Sequence, residues 1–306
     1  MKLYTPTYYP AFRCIASACR HSCCVGWEID VDAETYARYQ KTEGALGDRL
    51  RREIEAGDPP HFRLTEGDRC PFLDRDGLCE IILSCGEEAL CRICADHPRY
   101  RNLYSDRVEM GLGLSCEAVA DLLLSWQDPV EWVPVDGKDT PTEEETAFFA
   151  LRGELVSLLQ DRTRPLTARL YAVADRMDLP TDAPDPVRLL GMYLPLESMT
   201  EEWRVALTSA IQAGGEGSAL LDAAEYAIPF EQLAVYFIDR YLPDALTDDG
   251  YEARVAFALL SVWAIAALHP YFDTLAETAR LYSAEIEYSD QNVSVLLDAI
   301  DEHLWA

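Results

Sequence analysis

Beyond residue 142, apolar side chains recur every three to four positions, and this spacing predicts a wholly helical region. The clearest stripe is Phe230, Leu233, Ala234, Phe237, Ile238 and Tyr241, an i, i+3, i+4, i+7 pattern that turns one helix face toward a core. Thr142 and Glu145 make a capping box for a helix to about residue 160. Further helices are expected near 166–177, 185–194, 200–212, 217–226, 229–242, 251–268, 272–287 and 289–304. Before residue 127 the pattern is shorter and less regular. Residues 3–13 read as an irregular or extended lead-in, because Pro6 and Pro10 block regular helix. Alternation over 28–32 predicts a short strand, after which Asp32 caps one helix over about 33–56. Asp74-Arg75-Asp76-Gly77 reads as the turn of a hairpin knuckle between Cys70 and Ile81. A short helix over 87–94 and a second hairpin over 100–114, turning at Ser105-Asp106, come next. A helix over 117–126 closes this part.

The expected fold is mainly α. An irregular, cysteine-rich, metal-binding region with short hairpins spans 1–126. A linker covers 127–142, where three prolines and Gly137 fall among acids, and an acidic all-α domain spans 143–306. A chain of 306 residues can bury a sizeable core. No stretch of ~18 uninterrupted apolar residues occurs, so no membrane span is expected. Met1–Tyr9 lacks a basic segment followed by an apolar one, which makes a cytoplasmic location the expectation. The net charge is −28, with −23 of it beyond Glu117. Such a field repels nucleic acid and attracts a basic partner.

All ten cysteines lie between Cys14 and Cys116. Disulfide frameworks belong to small secreted chains, whereas reduced thiols in a larger chain point to metal. Zinc sites favour paired C-x2-C knuckles, and Cys91-Arg-Ile-Cys94 is the one such pair. Cys23 and Cys24 are adjacent, and adjacent side chains diverge. The thiols suffice for one iron–sulfur cluster with spares, or for two. The radical S-adenosylmethionine spacing C-x3-C-x2-C is not met, because Cys24 follows Cys23 directly. No G-x-G-x-x-G and no P-loop occurs. His21, inside the first cluster, and His97, three residues after Cys94, are candidate ligands or donors to ligands.

Several blocks together resemble the flagellin lysine-N-methylase family, which is related to the CxxCxxCC proteins described as zinc- or iron-chelating domains. The first runs Cys14-x4-Cys19-x3-Cys23-Cys24-Val-Gly26-Trp27, then Ile29 to Asp32 and Thr35-Tyr36. The second comprises Cys70-Pro-Phe-Leu73, Gly77-Leu-Cys79-Glu-Ile81, Gly86-Glu-Glu88, and Cys94 ahead of Pro98-Arg99. Leu114-Ser-Cys116-Glu117 is the third, and Leu281-Tyr-Ser283 through Glu285-Ile-Glu287 to Asn292 is a late one. Glu117 stands where the family commonly has proline, and Ala284 where it commonly has arginine. The resemblance implies an iron–sulfur protein, of the 4Fe–4S type, that methylates lysine ε-amines of flagellin. It assigns metal to Cys14, Cys19, Cys23, Cys24, Cys70, Cys79, Cys94 and Cys116, and leaves Cys85 and Cys91 optional.

On that reading the protein is a lysine N-methyltransferase for a protein substrate of the flagellin type, and S-adenosyl-L-methionine is its expected methyl donor. Glu285, Glu287 and Tyr282 are the candidates to steer the lysine or take its proton. On a regular helix Glu285 and Glu287 would otherwise face solvent. Two other readings remain open: a metal-chelating or electron-transfer module with a helical partner-binding domain, and a scaffold stabilised by zinc.

Overall fold

The computed structural model describes residues 1–303. Residue 304, the expected end of the last helix, lies outside the described residues. The chain divides into two compact units. Residues 1–12, 101–115 and the chain from 119 onward make the larger; 13–100 and 116–118 make the smaller.

The larger unit carries a sheet that the hydrophobic pattern only half announced. Strands β1 (Lys2–Pro6), β4 (Arg99–Leu103), β5 (Arg107–Leu112) and β6 (Trp132–Pro134) lie in the order β4-β5-β1-β6. β4 and β5 form the expected hairpin, closed by the Tyr104 amide donating to the Arg107 carbonyl at 2.9 Å. β1, expected as a lead-in, runs parallel to β5 with Leu3 opposite Val108, and antiparallel to β6 with Thr5 opposite Val133. Pro6 is tolerated because it ends its strand. The segment 127–142 therefore supplies an edge strand, and its Asp136 carboxylate accepts the Leu3 amide at 2.8 Å.

From residue 143 the unit is helical. α6 (Glu143–Leu159) opens on the expected capping box, Glu145 N–H donating to Thr142 Oγ1 at 3.1 Å and Thr142 N–H to Glu145 at 2.8 Å. α7 (Leu166–Arg176), α8 (Pro186–Gly191) and α9 (Glu201–Gln212) follow. α10 (Ala227–Tyr241) buries the whole stripe from Phe230 to Tyr241. After the short α11 (Ala245–Asp248), α12 (Tyr251–Leu268) is buried from Arg254 to Leu268. By length and composition α12 could cross a membrane, and here it is the core against which α10 packs. The helix expected at 217–226 is a single turn, Ser218–Leu220. Gly217 lies so close to α12 that a Cβ there would stand 2.3 Å from the Ala266 carbonyl oxygen. α13 (Leu275–Tyr282) passes into a π-helical turn, Ser283–Glu287, and α14 (Asp290–His303) ends the description.

The smaller unit is built from short pieces. The helix expected over 33–56 is two, α1 (Ala33–Lys41) and α2 (Gly44–Glu53), broken where Gly44 adopts φ +77°. A two-stranded ribbon follows, β2 (Ile54–Glu55) with β3 (His61–Phe62). The strand expected at 28–32 is reduced to one bridge, Asp30 with His61. Within the knuckle Leu73 bridges Cys79, but the return arm winds into α3 (Glu80–Cys85). α4 (Arg92–Asp96) and the first residues of α5 (Glu117–Ser125) complete the pieces.

Candidate metal centre

All ten cysteines are free thiols, and the smaller unit contains every one of them. Five, Cys24, Cys70, Cys79, Cys91 and Cys94, pack into one apolar cluster with Ile29, Val31, Tyr39, Leu50, Phe62, Phe72 and Ile81. Local hydrogen bonds fix the backbone that carries them. The Cys70 amide donates to the Cys24 carbonyl at 2.8 Å. Asp74 Oδ1 accepts the amides of Asp76 and Leu78, both at 2.8 Å, and so holds the knuckle turn before Cys79. Arg49 reaches from α2 to the Pro71 carbonyl and the Glu80 carboxylate. Asp32 holds two helix starts together, one oxygen accepting the Thr35 amide of α1 at 3.0 Å, the other the Arg92 amide of α4 at 2.8 Å. Cys91 is the N-cap of α4, and Cys94 sits one turn further on.

Cys14, Cys19, Cys23 and Cys116 stand apart from that apolar cluster. Cys14 and Cys23 are exposed, and Cys19 and Cys116 are half-buried. The Cys14 thiol accepts the Ala16 amide at 3.4 Å, and the Cys19 thiol donates to Glu117 at 3.7 Å. The same Glu117 carboxylate accepts the Arg20 amide at 2.8 Å, Arg20 Nε at 3.0 Å and the His21 amide at 3.3 Å. Glu117 thus ties the first cysteine loop to the start of α5. Trp27 Nε1 donates to the Cys23 carbonyl at 2.6 Å.

Charge separates the thiols further. The Cys23 thiol, bonded to that of Cys24 and facing the thiols of Cys14 and Cys116, is held well above the ordinary range. Cys24, accepting that bond with help from Ser22 and Arg69, is pushed down to about 7. A bond between Cys91 and Cys94 lowers Cys91 and raises Cys94. Burial pushes Cys70 up to about 12 and Cys19 up to about 11, and raises Cys79. Most of these thiols are therefore neutral near pH 7, and a thiophilic metal would bind by displacing their protons. By chemistry the donor set fits zinc or an iron–sulfur cluster. Among the described residues no three His, Cys, Asp or Glu side chains lie close enough together to hold a metal ion.

The other candidate residues are spread more widely. His97 is half-buried and pushed down to about 4 by desolvation, which keeps it neutral. Cys85 is exposed at the end of α3. Cys91, left optional by the resemblance, is 1% exposed within the five-thiol cluster; its C-x2-C spacing with Cys94 was the signal for it. In the larger unit, Tyr282 is buried among Tyr193, Trp203 and Phe237, and its hydroxyl donates to Ser261 at 2.8 Å. Glu285 accepts the Met199 amide at 2.7 Å and the Thr200 hydroxyl at 2.5 Å, next to the start of α9. Glu287 accepts the Tyr236 hydroxyl at 2.6 Å and faces Arg240 at 3.3 Å. Both glutamates are buried in the π-helical turn, against the expectation that they face solvent.

The arrangement defines a thiol-rich, mainly helical protein. Over 130 residues, 40% of the chain, it is 29% identical to the lysine-N-methylases of Salmonella typhimurium and Salmonella choleraesuis. The same extent and identity relate it to the flagellar biosynthetic protein FliU of Salmonella muenchen. The match covers 32% of each lysine-N-methylase and 77% of FliU, so the chain spans about a third of the length of the first two. No family model and no solved structure matches. These similarities support a relationship of the chain to the flagellin lysine-N-methylases.

Proposed function

We propose that the chain is a metal-dependent lysine N-methyltransferase acting on a basic protein substrate of the flagellin type. The observation that carries this reading is the gathering of all ten thiols in one small unit of a chain related to lysine-N-methylases. Cys14, Cys19, Cys23 and Cys116, with Cys24, Cys70, Cys79, Cys91 and Cys94, are the residues that would hold metal. When bound, an iron–sulfur cluster supplies iron to which the amino and carboxylate groups of S-adenosylmethionine can bind. The chain's own contribution is positional. Asp32, Asp74 and Glu117 fix the loops that carry the thiols, and the apolar cluster excludes water from the inner ones. The net charge of −28 draws in a lysine-bearing partner. Methyl transfer needs the neutral amine. The new N–C bond forms as the donor's S–C bond breaks, and the amine proton passes to a base.

A second reading, a metal module without catalysis, is favoured by the engagement of Tyr282, Glu285 and Glu287 in packing and hydrogen bonds within the helical unit. One experiment separates the two. Anaerobically purified protein is analysed for iron, sulfide and zinc, then incubated with methyl-labelled S-adenosylmethionine and flagellin. Label on lysine, lost in Cys24→Ser, is the expected result. Metal-replete protein that labels neither flagellin nor any other protein of its host would establish the second reading.

A further inference from the structure

We propose that the stretch 194–205, the loop after α8 and the first turn of α9, is a preformed docking surface for a basic, amphipathic segment of the protein substrate. The proposal rests on the lysine-methylation reading and goes beyond it in saying where the substrate binds. Apolar side chains here alternate between core and solvent. Tyr193, Leu196 and Trp203 are buried, and Tyr193 packs edge-on against Trp203 at 6.2 Å and Tyr282 at 5.8 Å. Leu194, Met199 and Val205 are left outside, at 55%, 58% and 56% exposure. One apolar side chain alone at a surface is ordinary, whereas three on one short stretch make a patch of the kind that marks an interface. The stretch is also held more firmly than an exposed loop requires. Asn292 on α14, 1% exposed, accepts the Glu197 amide at 3.1 Å and donates to the Glu197 carbonyl at 2.8 Å. Glu285, also 1% exposed, accepts the Met199 amide and the Thr200 hydroxyl, and Thr200 in turn caps α9 by accepting the Trp203 amide at 3.2 Å. Two buried polar side chains thus fix a loop whose own apolar side chains face water, so less conformational entropy is lost when a partner binds. The charge defines the partner. Glu197, Glu201 and Glu202 are exposed, and among the described residues none of them is ion-paired. Glu201 and Glu202 lie one helical turn before Val205, beside it on the α9 surface, and the one base of that helix is Arg204. An apolar strip bordered by unpaired carboxylates fits a segment with apolar side chains on one face and lysine or arginine at its edge.

The test uses the full chain and flagellin of its own host. Binding is measured by titration calorimetry without a methyl donor, so that affinity is read apart from turnover. Leu194→Gln, Met199→Gln and Val205→Gln should each weaken binding about tenfold, and Glu201→Lys combined with Glu202→Lys by at least as much. Val135→Gln changes an equally exposed apolar side chain outside the patch, and should bind as the natural chain does. All the changed side chains are exposed, so each variant should keep the natural thermal transition. In the free chain the Met199 amide should already be protected from hydrogen exchange; a freely exchanging amide overturns the preformed loop. Patch variants that bind flagellin as well as the natural chain overturn the surface and leave the methylation reading standing. Loss of binding in the patch variants of a chain that transfers no methyl group supports the surface and refutes the catalytic reading. A natural chain that holds no flagellin overturns the surface as a substrate site and flagellin as the substrate together. If that chain instead self-associates and Met199→Gln makes it monomeric, the occupant is a second copy of the chain, which also overturns the proposal.

Discussion

The two units solve the problem of a stable interior in opposite ways. The larger one fills its core with side chains and sets charged groups inside it where they are ion-paired or hydrogen-bonded. Glu109, 0% exposed, is held by Arg107 and by both terminal nitrogens of Arg152, at 2.6 and 2.7 Å. Arg107 lies over the Tyr4 ring at 3.7 Å. Burial alone would raise the Glu109 carboxyl; Arg152 and Arg107 outweigh it and hold it low. A second buried carboxylate, Glu231 on α10, is shared by Arg162 at 2.8 Å and Arg169 at 2.6 Å. The smaller unit has a thin apolar cluster of short elements, and five of the side chains packed there end in sulfur. Apolar burial and ion pairs can hold the first unit by themselves. On the proposed metal reading, the second would also draw stability from what its thiols bind.

This contrast can be broken by experiment. The largest effect should come from stripping metal with a strong chelator under reducing conditions. The smaller unit is expected to lose its helical signal while the larger keeps a cooperative thermal transition. Loss of both transitions together would show one interdependent fold. Next comes Arg152→Met, which leaves Glu109 with half of its compensation. A loss of about 3–5 kcal/mol in the larger unit is expected, with metal content unchanged.

A smaller effect concerns Asp239, which burial pushes up to about 6, against the pull of Arg152. Glu109, Arg107 and Trp132 are its other neighbours. Its folded pKa lies above the unfolded value, so the folded state binds the extra proton between about 6 and 4. The stability due to this group therefore rises as pH falls through that window, by no more than about 3 kcal/mol. Asp239→Asn should flatten this part of a thermal-unfolding profile taken from pH 7.5 to 4.5; an unchanged slope would assign it to another group. The smallest effect is expected at Cys85→Ser: no change in metal content or in either transition, against the large losses expected for the other thiols.

How much of this was legible depended on how local each signal is. The Thr142–Glu145 box, the α10 stripe, the Asp32 cap and the Ser105-Asp106 turn are contained within a few residues, and each is found where the pattern puts it. β1 was hidden because its partners lie about a hundred residues away and Pro6 argues against regular structure locally. β6 was hidden because a three-residue edge strand in an acidic, proline-bearing stretch has too little periodicity to register. The break at Gly44 and the π-helical turn at Ser283–Glu287 each depart from a continuous helical period by a residue or so, which apolar spacing does not resolve. At the thiols, spacing alone identified the cysteine-rich region but did not sort it. The C-x2-C spacing hinted at Cys91, and the packing separates it from Cys85, the one buried beside Cys94 and the other exposed.

Asp32 carries a consequence of its own. Its two carboxylate oxygens are rigidly joined, and each accepts an amide from a different helix start. The beginnings of α1 and α4 therefore cannot open independently: fraying at one withdraws an acceptor that orients the other. Hydrogen exchange at the Thr35 and Arg92 amides should accordingly be correlated, slowing and quickening together across conditions, although the two residues are 57 positions apart. The turn bearing Cys91 and Cys94 and the helix bearing Tyr39 thus behave as one cooperative element, coupled through a single side chain.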